Sequence, residues 1–441
     1  MQCKEFFEFL LNQGLAYRYT PERFAELASG GQPYPSPTRT ISEGSRVFIE
    51  ELIQPLIMPV TLSETEITEL ERIVNVFEKF LNVQIELFKM ARKGEIENLV
   101  FRQMCTEKEW QFGLSDSGYS KILPFLRLDC IRTKEGFKVV DINSTRPAGV
   151  GDYIVLSSAY SAYYVNGNPF PMKECFVKTV KQCIDEWQIS KSAKLRQPVT
   201  ILVRKSDGDW HNFRILNKCL AEAGITSELA ETIPVDSPRA IIRSRIKEGD
   251  PLFDELAARY PDKACVISPL YQRFLGNKLW MYLVHLPSIQ SIFEEKIGKD
   301  DFEFLKNVFP ESGIMKGNRI CFADGKEVML TVKNRKNWVI KETSGSSAKG
   351  MLFGFISVGR WEQLMSSNHD GCLGQRFIQA MEELPVADER GEVKKEKLYT
   401  KYGIFVLGGR LAGVEVMARR HHIVHGARNT YFSCCFKKVK V

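Results

Sequence analysis

The sequence predicts a mixed α/β protein, and three observations favour that class. Residues 126–143 form two alternating runs around the turn Lys134–Gly136, a pattern typical of a β-hairpin. Residues 198–270 alternate short apolar runs with helical runs, as a small parallel α/β unit does. Residues 42–90 place apolar side chains at helical spacing. Because 441 residues exceed what one hydrophobic core usually supports, we expect several substructures.

The opening segment is predicted to be largely helical. Glu5–Leu27 has helical spacing, Gly30–Pro37 reads as a loop, and helical spacing resumes from Ser42 through Met90. Within this stretch, Ser63–Glu66 precedes a run of apolar residues at helical spacing, which are Leu70, Ile73, Val76, Phe77 and Phe80. We therefore expect residues 1–100 to form a helical N-terminal region, whose helices either cover a sheet or serve as a cap or substrate-binding arm.

The hairpin of residues 126–143 carries a cluster of polar side chains. Asp141 and Asn143 lie two residues apart on the second strand and share a face, while Asp129 lies on the strand that pairs with it. Two carboxylates and a carboxamide offer the hard oxygen ligands that suit Mg²⁺. Arg127 projects to the same side, where it would neutralise the cluster or clamp a phosphoryl group. These residue types alone favour an ordinary charged hairpin over a metal site.

A second informative stretch is WVIKETSGSSAKGMLFG, residues 338–354. It reads as a strand that ends at Lys341 and a loop rich in Gly and Ser, and it is not a P-loop because no Lys–Ser/Thr pair follows the second Gly. A strand lysine followed by small residues, whose backbone N–H groups can fold over phosphates, suits a triphosphate lid. The loop positions that we assign to the nucleotide are Ser344, Gly345, Ser346, Ser347 and Gly350.

Composition and charge limit the kinds of binding partner that we expect for this protein. The chain is 44% hydrophobic and 26% charged, which is typical of a soluble globular protein. Its net charge of +7 comes from scattered basic residues, so we expect no nucleic-acid partner. The sequence has no apolar run near the roughly 20 residues of a membrane helix, no secretory signal pattern, and eleven cysteines without CxxC pairs. We therefore expect a cytoplasmic protein with reduced thiols and no membrane partner.

These motifs resemble those of permuted ATP-grasp ligases, above all the glutathionylspermidine synthetase group. R-x-D at 127–129, then eleven residues, then D-x-N at 141–143 is similar to the metal-binding hairpin of that group, with Asp141 where Glu is usual. The run N-S-T-R-P-A-G that follows resembles the E-x-N-x-R-x-P-S-G-like run of related proteins. A strand lysine before a Gly-rich loop is the order found in ATP-grasp enzymes.

The resemblance implies a circularly permuted ATP-grasp fold with a small α/β pre-grasp unit. The helical N-terminal region would cover residues 1–100, and the metal-binding hairpin part of the fold residues 101–165. The small α/β unit would cover residues 166–270, and the nucleotide-binding region residues 271–441.

The resemblance also implies further nucleotide contacts. Gly276–Trp280 is similar to the motif that supplies a second lysine, which is Lys278 here, with Lys306 as the alternative. The terminal hairpin around Gly408–Gly409 would supply an arginine to the phosphates, and its register leaves the choice between two neighbouring arginines open. Those arginines are Arg419 and Arg420.

The resemblance also indicates which segment would contact the adenine base. Arg376–Val386 reads as a strand that leads to a hinge, and it resembles the connector that contacts adenine in this family. Gln379 and Glu382, with the backbone beside Glu382, would then face the adenine edge.

The activity that the resemblance implies is that of an ATP-dependent carboxylate–amine ligase. Such an enzyme phosphorylates a small-molecule carboxylate with release of ADP, and an amine then displaces phosphate. Asp129, Asp141 and Asn143 would hold Mg²⁺, and the two lysines would neutralise the triphosphate. Arg127 would stabilise the phosphoryl group in transit and the tetrahedral intermediate. Arg146 would receive a second substrate carboxylate, or it would form a structural salt bridge.

Two other functions stay open from the sequence. An ATP-dependent phosphotransferase shares the first half-reaction, and a non-catalytic scaffold would bind nucleotide without turnover. The sequence shows no sign of the amidase half of bifunctional relatives, so we expect no polyamine conjugation. We expect a stand-alone synthetase that makes a small peptide, a modified amino acid or a related amide. A homo-oligomer is compatible with the sequence.

Overall fold

The computed structural model describes residues 38–41, 46–49, 53–97, 99–112, 117–144, 146–164, 167–205, 210–234, 238–244, 246, 248–260, 262–268, 270, 273–343, 351–387, 393–422, 424 and 430–439. The predicted helix Glu5–Leu27 and the predicted loop Gly30–Pro37 lie outside these residues. The same holds for the loop positions Ser344, Gly345, Ser346, Ser347 and Gly350.

The described helices follow one another in chain order. They are α1 (Glu64–Lys93), α2 (Leu99–Gln103), α3 (Glu107–Phe112), α4 (Val150–Tyr163), α5 (Met172–Lys191), α6 (Trp210–Glu222), α7 (Pro251–Arg259), α8 (Trp280–Leu283), α9 (Pro287–Ile297), α10 (Lys299–Val308) and α11 (Val358–Met365). No helix among them is both long enough and apolar enough to span a membrane.

The described strands are interspersed with these helices. They are β1 (Thr38–Ile41), β2 (Arg46–Ile49), β3 (Ile53–Pro55), β4 (Val60–Leu62), β5 (Phe125–Thr133), β6 (Gly136–Asn143), β7 (Gly167–Pro169), β8 (Arg196–Leu202), β9 (Ser227–Ala230), β10 (Arg239–Arg243), β11 (Ala264–Val266), β12 (Ser312–Lys316), β13 (Arg319–Cys321), β14 (Glu327–Met329), β15 (Trp338–Lys341), β16 (Met351–Phe353), β17 (Leu373–Arg376), β18 (Met381–Ala387), β19 (Val393–Leu407), β20 (Arg410–Arg419) and β21 (Thr430–Lys438). The prediction of a mixed α/β protein is confirmed.

Besides the β1–β2 hairpin, the described strands form three sheets. The large sheet has the order β3-β21-β20-β19-β5-β6, with β18 paired to β19, and with β4 and β7 paired to β21. The lysine sheet, named for Lys341, has the order β14-β13-β12-β17-β15-β16. The parallel sheet has the order β11-β10-β8-β9. The predicted hairpin of residues 126–143, the predicted strand ending at Lys341 and the predicted parallel unit are therefore all confirmed.

The predicted helix from Ser42 through Met90 is wrong in its first part. Residues 46–49, 53–55 and 60–62 are strands, and α1 begins only at Glu64. β3 and β4 pair in parallel with β21, so a partner far along the chain decides their conformation rather than the local spacing. Helix α1 begins with a capping box formed by Ser63 and Glu66, in which Glu66 Oε2 accepts from the Ser63 N–H at 2.8 Å.

Helix α1 covers the large sheet. Its buried residues recur at helical spacing, and the helix contacts β6, β20 and β21 as well as α9 and α10. The main apolar core draws buried residues from every predicted part, for example Leu70, Val139, Val199 and Val414. The predicted parts therefore share one core, and their boundaries stay predictions.

Two connections position the candidate site. The terminal hairpin is confirmed: β19 and β20 pair around Gly408 and Gly409, whose φ angles of 56° and 74° suit glycine in a two-residue turn. The predicted strand Arg376–Val386 is wrong in detail, because β17 ends at Arg376 and β18 begins at Met381. Residues 377–380 instead carry the chain from the lysine sheet to the large sheet.

Candidate functional site

Asp129 and Asp141 face each other across the hairpin. The register of β5 and β6 pairs Asp129 with Asp141 and Arg127 with Asn143, and a bulge follows Asp129. Directly opposed residues in an antiparallel pair have Cβ atoms roughly 4.5–5.5 Å apart, where like charges repel. This pair of carboxylates is therefore stable only with positive charge close by.

Positive charge reaches Asp129 from two neighbours. Arg127 Nε donates to one carboxylate oxygen at 2.9 Å, and Lys401 Nζ, from β19, donates to the other at 2.7 Å. Asp129 is only 3% exposed, and burial alone would raise its pKa. The charges of Arg127 and Lys401 outweigh that effect and hold the pKa of Asp129 at about 2. Asp129 is therefore ionised at neutral pH.

Arg127 is fixed by a second carboxylate. Its Nη1 lies 3.0 Å from Oε1 of Glu415, a buried residue of β20. Gly403, directly opposite on β19, makes room for this side chain: a Cβ at Gly403 would lie 2.6 Å from Glu415 Oε1. Burial opposes the charge of Arg127, but Asp129 and Glu415 raise its pKa above the ordinary value. The guanidinium is therefore charged and oriented.

Asp141 and Asn143 keep unused bonding capacity. Asp141 Oδ1 and Asn143 Nδ2 are buried, and within the residues that the structure describes neither makes a hydrogen bond. Lys278 Nζ lies 3.4 Å from Asp141 Oδ1, at ion-pair distance. Buried polar atoms of this kind usually have a partner, so the arrangement fits a cation or a polar ligand at this edge of the hairpin.

A magnesium ion at this place would need ligands from outside the chain. In the described part of the chain, no group of three or more His, Cys, Asp or Glu side chains could hold a metal ion. The candidate set has two carboxylates and one amide, and Mg²⁺ commonly binds through one or two carboxylates together with waters and substrate phosphates. The residues therefore fit a metal that arrives with a phosphate ligand.

The two candidate lysines approach the hairpin from other elements. Lys278 is 6% exposed, and its backbone N–H donates to Thr343 O at 3.1 Å, just past β15. The alternative lysine, Lys306, lies elsewhere: its Nζ is 2.5 Å from Glu303 in the same helix and 4.8 Å from the centre of the Phe302 ring. The structure thus brings Lys278 to Asp141, and it does not bring Lys306 there.

Lys341 joins the lysine sheet to the hairpin. Its Nζ donates to the Val140 carbonyl at 2.8 Å and to Gln375 Oε1 at 2.6 Å. Burial, together with the charges of Lys278 and Lys401, lowers the pKa of Lys341 to about 8, although the nearby carboxylates oppose the shift. A phosphate beside these ammonium groups would relieve their mutual repulsion.

The predicted adenine contacts lie on and after the connection between the two sheets. Gln379 is exposed, within residues 377–380. The carboxylate of Glu382 accepts hydrogen bonds from Tyr402 Oη at 2.7 Å and from Thr400 Oγ1 at 2.9 Å, and it lies 3.4 Å from Arg132. The Glu382 side chain is thus engaged within the large sheet, and adenine recognition by these residues stays a prediction.

The two terminal arginines differ in their burial and in their contacts. Arg419 ends β20 and is 9% exposed, whereas the exposed Arg420 forms a two-point ion pair with Glu396, in which Nη2 and Oε2 are 2.9 Å apart. Arg146 lies on the loop after β6, and its charge adds to the effect of burial in lowering the pKa of Arg243. Of the two terminal arginines, Arg419 is therefore the inward one.

Three contributing residues were missed by the sequence analysis: Lys401, Glu415 and Gln375. Each lies on a strand whose register relative to the hairpin or to Lys341 cannot be read from local spacing. A signal existed for Glu415, which is the single charged residue within the apolar run of residues 411–418.

Comparisons with known proteins add little to this geometry. No protein-family description matches the chain, and no curated protein matches it. One similar solved structure is named "Putative gamma-glutamylcysteine synthetase", from Methylobacillus flagellatus KT; it is 12% identical, covers 82% of this chain and 88% of its own, and has a TM-score of 0.35. At that TM-score the likeness defines neither the fold nor the function of this chain.

Proposed function

We propose that the chain is an ATP-dependent carboxylate–amine ligase whose nucleotide lies between the large sheet and the lysine sheet. The observation that carries the proposal is the contact of Lys341 with Val140, one residue before Asp141. It brings a buried lysine with a lowered pKa against a hairpin of opposed carboxylates. Ammonium groups and carboxylates mixed in this way suit a triphosphate with its metal.

Asp129, Asp141 and Asn143 would hold Mg²⁺ at this site. When bound, the metal supplies charge neutralisation on the phosphates. Asp141 Oδ1 has capacity to spare for the metal, and the Asn143 Nδ2 group is a donor that suits a phosphate oxygen, whereas Asp129 is already engaged by Arg127 and Lys401. Mg²⁺ would therefore compete with Lys401 for Asp129, or bind chiefly through the other two residues.

The lysines and arginines would act on the phosphates. Lys278 and Lys341 would neutralise the triphosphate and exclude water from the inner face of the hairpin. The first Gly/Ser-rich residues after Lys341 would provide backbone N–H groups to the same phosphates. Arg419 is the candidate cation at the far end of β20.

Arg127 would stabilise the reacting groups. A substrate carboxylate oxygen attacks the γ-phosphorus, the bond from that phosphorus to the bridging oxygen of ADP breaks, and an acyl phosphate forms. An amine then attacks the acyl carbon, the carbon–oxygen bond to phosphate breaks, and the amine loses a proton. Asp129 and Glu415 hold Arg127 in place, so its charge needs no reorganisation as the negative charge moves.

Mass spectrometry of reaction mixtures tests the proposal. The full chain is incubated with ATP, Mg²⁺ and a mixture of small acids and amines, with Asp141→Asn as a parallel sample. ADP together with a dehydrated acid–amine adduct, both lost in the variant, is expected. A stable product heavier by one phosphoryl group would instead establish a phosphotransferase. Nucleotide binding without any product would establish a scaffold, and either result would overturn the proposal.

A further inference from the structure

The loop that carries Lys278 is anchored by the residue before it. We call residues 273–279 the Lys278 loop. Asn277 is 1% exposed; its Nδ2 donates to the Met104 carbonyl at 3.2 Å, and its Oδ1 accepts from the Leu279 N–H at 2.9 Å. A buried amide of this kind costs free energy when either bond is lost. Asn277 therefore ties the loop to the chain beside α2 and holds the backbone that follows Lys278.

Lys278 contacts the hairpin and the lysine sheet at the same time. Its Nζ lies 3.4 Å from Asp141 Oδ1, and its backbone N–H donates to the Thr343 carbonyl at 3.1 Å. Thr343 lies two residues past Lys341, at the end of β15. Because the energy of an ion pair falls as its two charges move apart, a displaced loop would weaken the hold of Lys278 on Asp141.

Gly276 brings the Lys278 loop close to the end of the hairpin. A Cβ atom at Gly276 would lie 2.5 Å from Ser144 Oγ and 3.3 Å from the Ile142 carbonyl oxygen. Non-bonded heavy atoms pack at roughly 3.5–4.0 Å, so a side chain at this position would displace the loop, the hairpin or the Ser144 hydroxyl. Glycine is the residue that allows so close an approach of one backbone to another group.

We propose that Gly276 and Asn277 are positioning residues, which set how closely Lys278 approaches Asp141 and hence the phosphates of the nucleotide. The contact with the nucleotide rests on the proposed ligase function. The position of Lys278 relative to Asp141 is a property of the chain alone and can be measured without nucleotide.

Double-mutant cycles of urea unfolding test the position of Lys278 without nucleotide. The cycle combines Lys278→Met with Asp141→Asn, and it is measured in the wild-type protein and in Gly276→Ala. In the wild type the two changes should be non-additive, with a coupling of several-fold in the unfolding equilibrium constant. In Gly276→Ala this coupling should fall to about half or less on a logarithmic scale. Unchanged coupling in folded Gly276→Ala would overturn the proposal.

The matched control is the same substitution at a glycine without close neighbours. A Cβ atom at Gly359, in α11, would meet no atom within 4 Å, so Gly359→Ala should leave the coupling between Lys278 and Asp141 unchanged. Circular dichroism and thermal unfolding establish which variants are folded. If Gly276→Ala does not fold, Asn277→Asp decides, because it removes the donor to the Met104 carbonyl and keeps the acceptor of the amide.

A second substitution should restore the position of Lys278. In Gly276→Ala combined with Ser144→Ala, the nearest atoms to the new Cβ are the Ile142 carbonyl oxygen and the Cβ of residue 144, each at 3.3 Å. We therefore expect most of the coupling between Lys278 and Asp141 to return, with Ser144→Ala alone as the reference. Coupling that is lost in Gly276→Ala and is not restored in the double variant would overturn the role of this contact.

Titration with a non-hydrolysable ATP analogue and Mg²⁺ extends the test to the nucleotide. Gly276→Ala should weaken analogue binding by about tenfold, and the double variant should bind within about threefold of Ser144→Ala. Gly359→Ala should bind normally. Equal affinity in the wild type and in Gly276→Ala would overturn the positioning toward the phosphates. If the wild type binds no analogue although the coupling changes as expected, the proposed ligase function fails and the positioning of Lys278 on Asp141 stands.

Discussion

The Nζ atom of Lys341 lies 2.8 Å from the carbonyl oxygen of Val140, and this hydrogen bond joins the lysine sheet to the hairpin of β5 and β6. The neighbour of Val140 is Asp141, which opposes Asp129 across the hairpin. This one contact therefore places a lysine of one sheet next to a pair of carboxylates of another sheet. The proposed nucleotide site depends on this contact.

Replacing Asp141 by Asn should remove activity and spare the fold. The change relieves the repulsion between opposed carboxylates and gives up an ion pair of 3.4 Å with Lys278, so we expect stability to change by about 1 kcal/mol or less. ATP turnover should fall by orders of magnitude, because the Mg²⁺ site loses a charge. Thermal unfolding and Mg²⁺-dependent ADP release measure the two effects. Glu135→Gln, at the exposed turn of the same hairpin, is the control. Near-normal turnover in Asp141→Asn would refute the metal assignment.

Lys341 should make the stability of the protein depend on pH. Its folded pKa of about 8 lies below the ordinary 10.5, so at pH values between these two the unfolded chain binds more protons. The burial of the charged lysine costs stability at and below pH 8, and this cost is relieved as the pH rises toward 10.5. Relative to Lys341→Met, the wild type should gain on the order of 1–3 kcal/mol between pH 7 and pH 10.

Urea unfolding of both proteins across this pH range measures that difference. Lys336→Met, near the start of the same strand and exposed, should follow the wild type. If stability depends on pH in the same way in the wild type and in Lys341→Met, the surroundings of Lys341 do not lower its pKa.

Lys401 should be essential for stability, because it is one of the two cations that hold the buried Asp129. Lys401→Met leaves that carboxylate with Arg127 alone, and breaking a buried pair in this way typically costs about 3–5 kcal/mol. The pKa of Asp129 should rise, so the loss should be smaller at low pH, where the carboxylate is protonated. Equilibrium unfolding at pH 7 and pH 3 tests both statements. Lys397→Met, an exposed lysine on the same strand, should cost little at either pH.

Glu415→Gln should lower the catalytic rate and leave nucleotide affinity nearly unchanged. The change keeps the shape of the side chain but weakens its hold on Arg127 Nη1, which is now 3.0 Å from Oε1. Arg127 would lose its fixed direction, so kcat should fall by about tenfold or more, while the Kd of ATP stays within about twofold. Steady-state kinetics with parallel ATP titration measures this split. An equal loss in both quantities would mean that Glu415 supports the site as a whole rather than the orientation of Arg127.

The sequence predicted those parts of the site that local pattern controls. The proximity of Asp129, Asp141 and Asn143 across the hairpin was predicted because a short turn fixes their register, and their binding of a metal stays a prediction. Lys401 and Glu415 were missed because their approach depends on how β19 and β20 pair with β5, which begins more than 200 residues earlier in the chain. Strands β3 and β4 were missed for the same reason, since they pair with β21 near the other end of the chain. The Gly/Ser-rich positions after Lys341 lie outside the described residues, and their assignment stays a prediction.

Hydrogen exchange with and without a non-hydrolysable ATP analogue and Mg²⁺ tests the central claim most directly. A nucleotide between the two sheets should protect peptides from both of them at once, namely residues 341–352 after β15 and residues 125–143 of the hairpin. Lys341→Met should lose about ten- to a hundredfold in nucleotide affinity and show no protection at the same analogue concentration. Unchanged exchange in both peptides of the wild type at saturating analogue would contradict the account.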